Sequence, residues 1–442
     1  MENQKTSLFK LSWPIYIELL FIMFLGVADT LMLSQYSDLS VATVGNAQRV
    51  SGLFIVILNV AAFGVGVVVS QYLGAQDESQ AKKAMKTGLF GNVLVALLLI
   101  FLIQMFGAVI FRVINTDPEI FDMSLFYLRV VSLGFLFIAV TQAAGSGFKA
   151  FGRPKVVMYI VAAMNLFNVL FNFLLIFGVG PFPELGVRGA AYATFASKGF
   201  AFALTLFFLW RYLRIQPFFL RFAPLRTYYV KIMKIGLPGA GEHFVYQFSQ
   251  VVLLGFLNTI GTLALTTQVY VHNMMMPVMI FSLAVAQGNQ VIVGWRVGAK
   301  AYDEAHTRTL KTVRTAFIFV VIASTTMYLN SERLLGIFTD SPEIISMGRR
   351  ALLIGIFLEM GRMTNLVVIQ ALRASGDVIY PVVIAMFSML TVMIGFSYLF
   401  GLRLEFGLAG IFIGLATDEI LRGILVLYRW LRGTWRGKRV VS

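Results

Sequence analysis

The stretch LSWPIYIELLFIMFLGVADTLMLSQY, residues 11–36, decides the class of the molecule. It is apolar over a length that crosses a hydrocarbon core as one helix. It holds no basic residue and two acids, Glu18 and Asp29. It is too long for the apolar core of a cleavable signal, and no small-residue cleavage site closes it, so it reads as a first spanning helix. The rest of the chain has the same character. Of 442 residues, 58% are hydrophobic and 13% charged, and the mean hydropathy is +0.81. The usual charged share is roughly 25%. A soluble chain of this size could not hide so much apolar surface, which leaves an integral membrane protein and excludes disordered and fibrous classes. With no cysteine, disulfides, thiolate metal sites and cysteine nucleophiles are excluded, and three histidines leave little for zinc or haem.

Working outward from that helix, hydropathy and turn signals predict twelve spans, near 11–36, 48–73, 87–112, 124–148, 155–179, 187–212, 232–258, 264–296, 312–337, 347–372, 379–401 and 406–431. Turn chemistry marks the breaks: Gly74-Ala-Gln-Asp-Glu, Asn115-Thr-Asp-Pro, Gly152-Arg-Pro, Pro181-Phe-Pro-Glu, Thr339-Asp-Ser-Pro and Gly376-Asp. With a cytoplasmic N-terminus, inside segments hold 25 of the 36 Lys and Arg and outside loops hold 7. The positive-inside rule therefore predicts a multi-pass cell-membrane protein with both termini cytoplasmic. This accounts for the net charge of +15. The linker from Arg211 to Lys234, with six basic residues, Pro217 and Pro224, reads as a connector near anionic headgroups. No motif supports nucleic-acid binding.

The chain repeats itself at an offset of 224. Pro14 and Glu18 map onto Pro238 and Glu242, Gly74-Ala75 onto Gly298-Ala299, Pro118-Glu119 onto Pro342-Glu343, and Ala150-x-Gly152 onto Ala374-x-Gly376. Gly186-x-x-Gly189 maps onto Gly407-x-x-Gly410 at an offset of 221, after a three-residue deletion. Each half has six spans, an even number, so both halves share one orientation. The expected fold is all-α: two six-helix bundles related by a pseudo-twofold along the membrane normal, around a central cavity. The expected domains are a first lobe over 1–212, a basic linker over 213–231, a second lobe over 232–431 and a basic tail over 432–442.

Ionisable groups inside spans are costly, so each is a candidate for function. Glu18 and Asp29 are eleven residues apart, three helical turns, and share a face; Asp29 lies in the outer half of its span. Asn165, Asn168 and Asn172 follow at i, i+3 and i+7, again on one face. A carboxylate opposite an amide stripe offers oxygens to a proton, a hydronium-like network or a hard cation; the alternative is interhelical hydrogen-bond glue. The second lobe has Glu242, His243, Glu359, Arg362, Asp418, Glu419 and Arg422. There Glu359 with Arg362 and Asp418 with Arg422 stand as self-neutralising pairs, or as a substrate or coupling cluster. Glu18 and Glu242 cap helices or hold the lobe base, and Arg129 and Lys198 snorkel or pair at the margins. The run Met274-Met275-Met276, with 41 Phe and 20 Met in all, supplies soft walls for varied organic ligands, or packs cores and faces lipid. No Walker loop, nucleophile elbow, metal-ligand helix motif or Rossmann glycines occur, so ATP hydrolysis and enzyme chemistry are not expected and an ion gradient is the energy source.

Together these features resemble the multidrug and toxic compound extrusion (MATE) family of antiporters, over essentially the whole chain. The resemblance rests on Pro14, Gly26-Val-Ala-Asp29-Thr, Gly66-x-x-x-Ser70-Gln71-x-x-Gly74-Ala, Asn165-x-x-Asn168-x-x-x-Asn172, Gly186-x-x-Gly189-Ala-Ala-x-Ala-Thr194, Gly236-Leu-Pro238 and Ala371-Leu-Arg373-Ala-x-Gly376-Asp377. It implies that Asp29 is the coupling carboxylate, that Asn168 and Asn172 are its span-5 polar partners and that Thr194 is a span-6 hydroxyl. Some prokaryotic members have Asp where this chain has Asn172. The sodium-coupled branch has second-lobe acids where this chain has Tyr246 and Arg362, with Glu242 and Glu359 displaced nearby. The implied function is export of amphipathic, often cationic compounds in exchange for H⁺, with Na⁺ at Asp29 the less favoured ion, by a monomer in the bilayer with no cofactor. A lipid-intermediate flippase of the same superfamily and a channel or scaffold are the alternatives.

Overall fold

The computed structural model describes residues 7–215 and 226–441. Residues 1–6, Ser442 and the middle of the linker, with Pro217, Arg221 and Pro224, lie outside the described residues. The first half holds α1 (Leu8–Tyr36), α2 (Asp38–Gly74), α3 (Glu78–Val113), α4 (Pro118–Leu133), α5 (Phe135–Ala150), α6 (Pro154–Phe177) and α7 (Val187–Leu213). The second holds α8 (Arg226–Ile260), α9 (Thr262–Gly298), α10 (Tyr302–Leu329), the short α11 (Ser331–Leu335) and α12 (Pro342–Ser375). After these come α13 (Ile379–Ser388) and α14 (Ile394–Phe396), made one rod over Ile379–Arg403 by a π-helical segment between them (Met389–Met393) and another after α14 (Ser397–Arg403), and then α15 (Gly407–Leu431). Taken as rods, with α4 and α5 as one bent span, these are the twelve expected spans of an all-α membrane fold. Among the described residues nine rods are long and apolar enough to cross a membrane, and the bent pair is a tenth. Helix α15 falls outside that set because Asp418, Glu419 and Arg422 put three charges inside it.

The repeat is visible element by element. Helices α2 and α9 both have 37 residues and both ends differ by the same 224. The N-caps of α4 and α12 are repeat-equivalent: Asp117 accepts from the Glu119 N–H at 2.9 Å, and Ser341 from the Ile344 N–H at 3.5 Å. One pair of spans differs. The first-half span bends by 46° between α4 and α5. Gly134 stands at the break, where α12 has Leu358 and runs on unbroken. Several helices also begin before the hydropathy limits, α2 at Asp38, α3 at Glu78 and α10 at Tyr302, because polar first turns carry no apolar signal.

The compact units are not the plain halves of the chain. One comprises Ile17–Leu73 and Asp77–Gly236. Its core gathers Leu33, Leu58, Ile103, Phe111, Tyr127 and Phe135. The start of α8 belongs here: Gly64 lies against the Ile232 carbonyl and Gly236 against the Val60 carbonyl, so α8 and α2 meet backbone to backbone. The other unit comprises Gly74–Gln76, Leu237 onward and the chain up to Tyr16. Its core gathers Val271, Met274, Met275, Leu352, Met389 and Phe412, which makes two of the three run methionines core residues rather than a free ligand wall. Here Ser12 of α1 packs on Gly288 of α9, the repeat equivalent of Gly64. Helices α1 and α8 thus divide between units near Pro14 and Pro238, where the missing amide donor weakens the helix.

Candidate functional site

In the first unit, α1, α6 and α7 bring one acid to a line of amides. Asn172 donates through Nδ2 to Asp29 Oδ1 at 2.7 Å and to Asn168 Oδ1 at 2.9 Å. Asn168 donates to Ser197 Oγ at 3.2 Å, and Ser197 to the Thr194 carbonyl at 2.9 Å. The helical spacing of Asn168 and Asn172 puts both on one face of α6, and both are buried to about 1% exposure. Asp29 is half-buried. The buried Oδ1 of Asn172 has no hydrogen-bond partner, so an unused acceptor stands beside the carboxylate. A carboxylate next to a free amide oxygen presents lone pairs, which suits a proton or cation and not an anion.

The other expected members sit elsewhere. Asn165 donates to the Phe21 carbonyl at 2.5 Å, tying α6 to α1, which is the interhelical-glue alternative. Thr194 has its hydroxyl 3.5 Å from Tyr127 OH and enters the line only through its carbonyl. Lys198 departs from the expected margin position. It sits near the middle of α7, four residues from Thr194, and is an electrostatic partner of Asp29. A lysine at the midpoint of an apolar span was the signal that could have found it. Arg129 is exposed, as a snorkelling side chain requires.

In the second unit the acids and bases of α12 and α15 form one chain, not two separate pairs. Arg362 pairs with Glu359 and its Nε lies 3.6 Å from Glu419. Arg422 lies 3.0 Å from the same Glu419 and 2.6 Å from Asp418. Ser388 donates to Asp418 at 2.6 Å and Asn365 to Glu419 at 2.7 Å. Glu359 and Asp418 are fully buried, and Glu359 Oε2 has no partner. Three acids and two bases leave a formal −1 in a low-dielectric bundle. Tyr246 and His272 lie within electrostatic reach of Arg362. Ser388 and Asn365 gave no sequence signal, since such residues are common in spans.

Glu242 is not bonded into that chain. It pairs with Arg373, while Glu18 pairs with Lys149 at 2.9 Å. Both partners differ by the repeat offset, so each unit carries the same ion pair. These acids hold tertiary contacts in place of the helix caps that were the alternative. Among the described residues no group of three or more His, Cys, Asp or Glu converges as a metal site would.

The family model MatE matches the chain twice, over residues 14–174 and 238–399, one match per repeat. The chain is 36% identical to the uncharacterized transporter YisQ of Bacillus subtilis, over 97% of this chain and 94% of that protein. It is 27% identical to the probable multidrug resistance protein NorM of Thermotoga maritima, over 99% and 94%. A solved outward-facing multidrug resistance MATE family transporter superposes with a TM-score of 0.89 at 19% identity, covering 97% of this chain and 96% of that one. At that identity the likeness speaks for the fold. With a family match in each repeat and relatives along almost its whole length, this chain belongs to the MatE family of multi-pass membrane transporters.

Proposed function

We propose that this protein is a secondary active antiporter that exports amphipathic, often cationic organic compounds in exchange for H⁺ by alternating access. It would work as a monomer in the cell membrane with both termini cytoplasmic. The observation that carries the reading is the Asp29 carboxylate, bonded by Asn172 and lying beside an unused amide oxygen. One acid with a single amide donor can take and release a proton; Na⁺ wants roughly five or six oxygens around it, and few lie here. Descriptions of relatives as probable multidrug resistance proteins support the substrate class. The buried −1 of the second unit offers a further place for a cationic substrate or a proton.

The test is efflux of a fluorescent organic cation from proteoliposomes, with ΔpH and Na⁺ gradients imposed separately. A ΔpH alone is expected to drive export, and Asp29→Asn to abolish it while the protein still folds, because the amide mimics the protonated acid. Full ΔpH-driven export by Asp29→Asn would remove Asp29 from the mechanism. Export driven by Na⁺ and indifferent to pH would overturn the choice of ion.

A further inference from the structure

The most unusual side chain near the Asp29 network is a lysine. Lys198 lies near the middle of α7, in an apolar span, where an ammonium is costly unless a partner or water offsets it. Its electrostatic partner is Asp29, yet no ion pair joins the two among the described residues. The lysine is therefore held in the field of the carboxylate without bonding to it. The hydrogen-bond line places the lysine beside the acid's network: its chain neighbour Ser197 accepts from Asn168, Asn168 accepts from Asn172, and Asn172 donates to Asp29.

The groups on elements packed against α7 leave the lysine without another acid. On α4, Tyr127 is buried nearby, while Glu119, Asp122 and Arg129 are exposed. On α5, Lys149 is held by Glu18, and on α6, Lys155 is exposed. The second repeat makes the position more telling. At the offset of 221 that relates the last spans, Lys198 corresponds to Glu419, the residue that bridges two arginines in the other unit. Both repeats place a charge at this point of their last span, with opposite sign.

We infer that Lys198 is a tethered counter-cation for Asp29 and the residue that closes this site to Na⁺. The inference rests on the reading of Asp29 as the coupling acid. A mobile metal ion beside one carboxylate gains little net free energy after losing its water, so a fixed positive charge in the same low-dielectric pocket is enough to expel it. A proton forms a covalent O–H bond on the carboxylate and tolerates the same repulsion. Lys198 is thus a specificity-determining residue and takes no part in proton transfer.

The test uses the purified full-length protein. Thermal melting is followed in detergent at fixed pH while NaCl replaces choline chloride, for wild type, Lys198→Met, Lys198→Arg and the double variant Lys198→Met with Asp29→Asn. Lys198→Met is expected to gain a Na⁺-dependent rise in Tm, half-saturating at a concentration roughly tenfold or more below any wild-type response. Lys198→Arg, which keeps the charge, stays without the response, and the double variant loses it. Lys198→Gln replaces Lys198→Met if the latter fails to fold. A wild type that responds to Na⁺ as Lys198→Met does would overturn the inference, and so would a Lys198→Met protein with no response. Export that survives Asp29→Asn in the proteoliposome assay strikes the reading of Asp29, whereas a silent Lys198→Met beside an inactive Asp29→Asn strikes the role of Lys198 alone.

Discussion

Removing Arg422 tests whether the charge chain of the second unit is sealed from water. Arg422 is 4% exposed, and its guanidinium touches Asp418 at 2.6 Å and Glu419 at 3.0 Å. At an effective dielectric of about 20, each contact is worth about 6 kcal/mol of Coulomb attraction, most of it offset by the desolvation of the ions. Arg422→Met removes the attraction and leaves both carboxylates in place, changing the formal charge of the chain from −1 to −2. Ser388 still serves Asp418, and Asn365 and Arg362 still serve Glu419, so neither acid is bare. The expected loss is about 3–5 kcal/mol, the usual cost of breaking a buried pair from one side. Asp418→Asn in the same protein restores −1, and the amide can bond with Ser388; the double variant is expected within about 2 kcal/mol of wild type. Unfolding by SDS titration in mixed micelles measures both. A loss under about 1 kcal/mol for Arg422→Met, or a double variant no more stable than the single, would refute the argument, because it would mean that water reaches the chain and screens it.

Two further outcomes follow from packing and from the repeat. Gly410→Ala puts a methyl group against the Phe400 carbonyl carbon and the Gly401 nitrogen, so it should cost about 1–3 kcal/mol, whereas Gly255→Ala meets open space and should be neutral; the same SDS titration compares them. Exchanging the charges of the first-unit pair, Glu18→Lys with Lys149→Glu, should recover most of the stability lost by either single reversal, and no recovery would mean that the geometry of the contact matters more than its charge.

What the sequence determined by itself was everything that depends on neighbours along the chain. Twelve apolar stretches, their turn signals and the 224-residue offset are local or periodic, and they led to the all-α membrane fold and the duplicated order of elements. The i, i+4 spacing of Asn168 and Asn172 likewise put both on one face of α6 before any tertiary contact was known. Only the tertiary structure decided which faces meet. The bond from Asn172 to Asp29 spans 143 residues of chain, and the pairs Glu18–Lys149 and Glu242–Arg373 span 131 each. Helical periodicity gives the direction of each side chain but not the partner opposite. For the same reason Glu419 stood outside both spaced pairs until α12 was seen beside α15, and Lys198 read as a margin residue until Asp29 was seen within its electrostatic reach. The split of α1 and α8 between compact units was hidden as well, since a proline shows where a helix is weak and only packing shows where its two parts go.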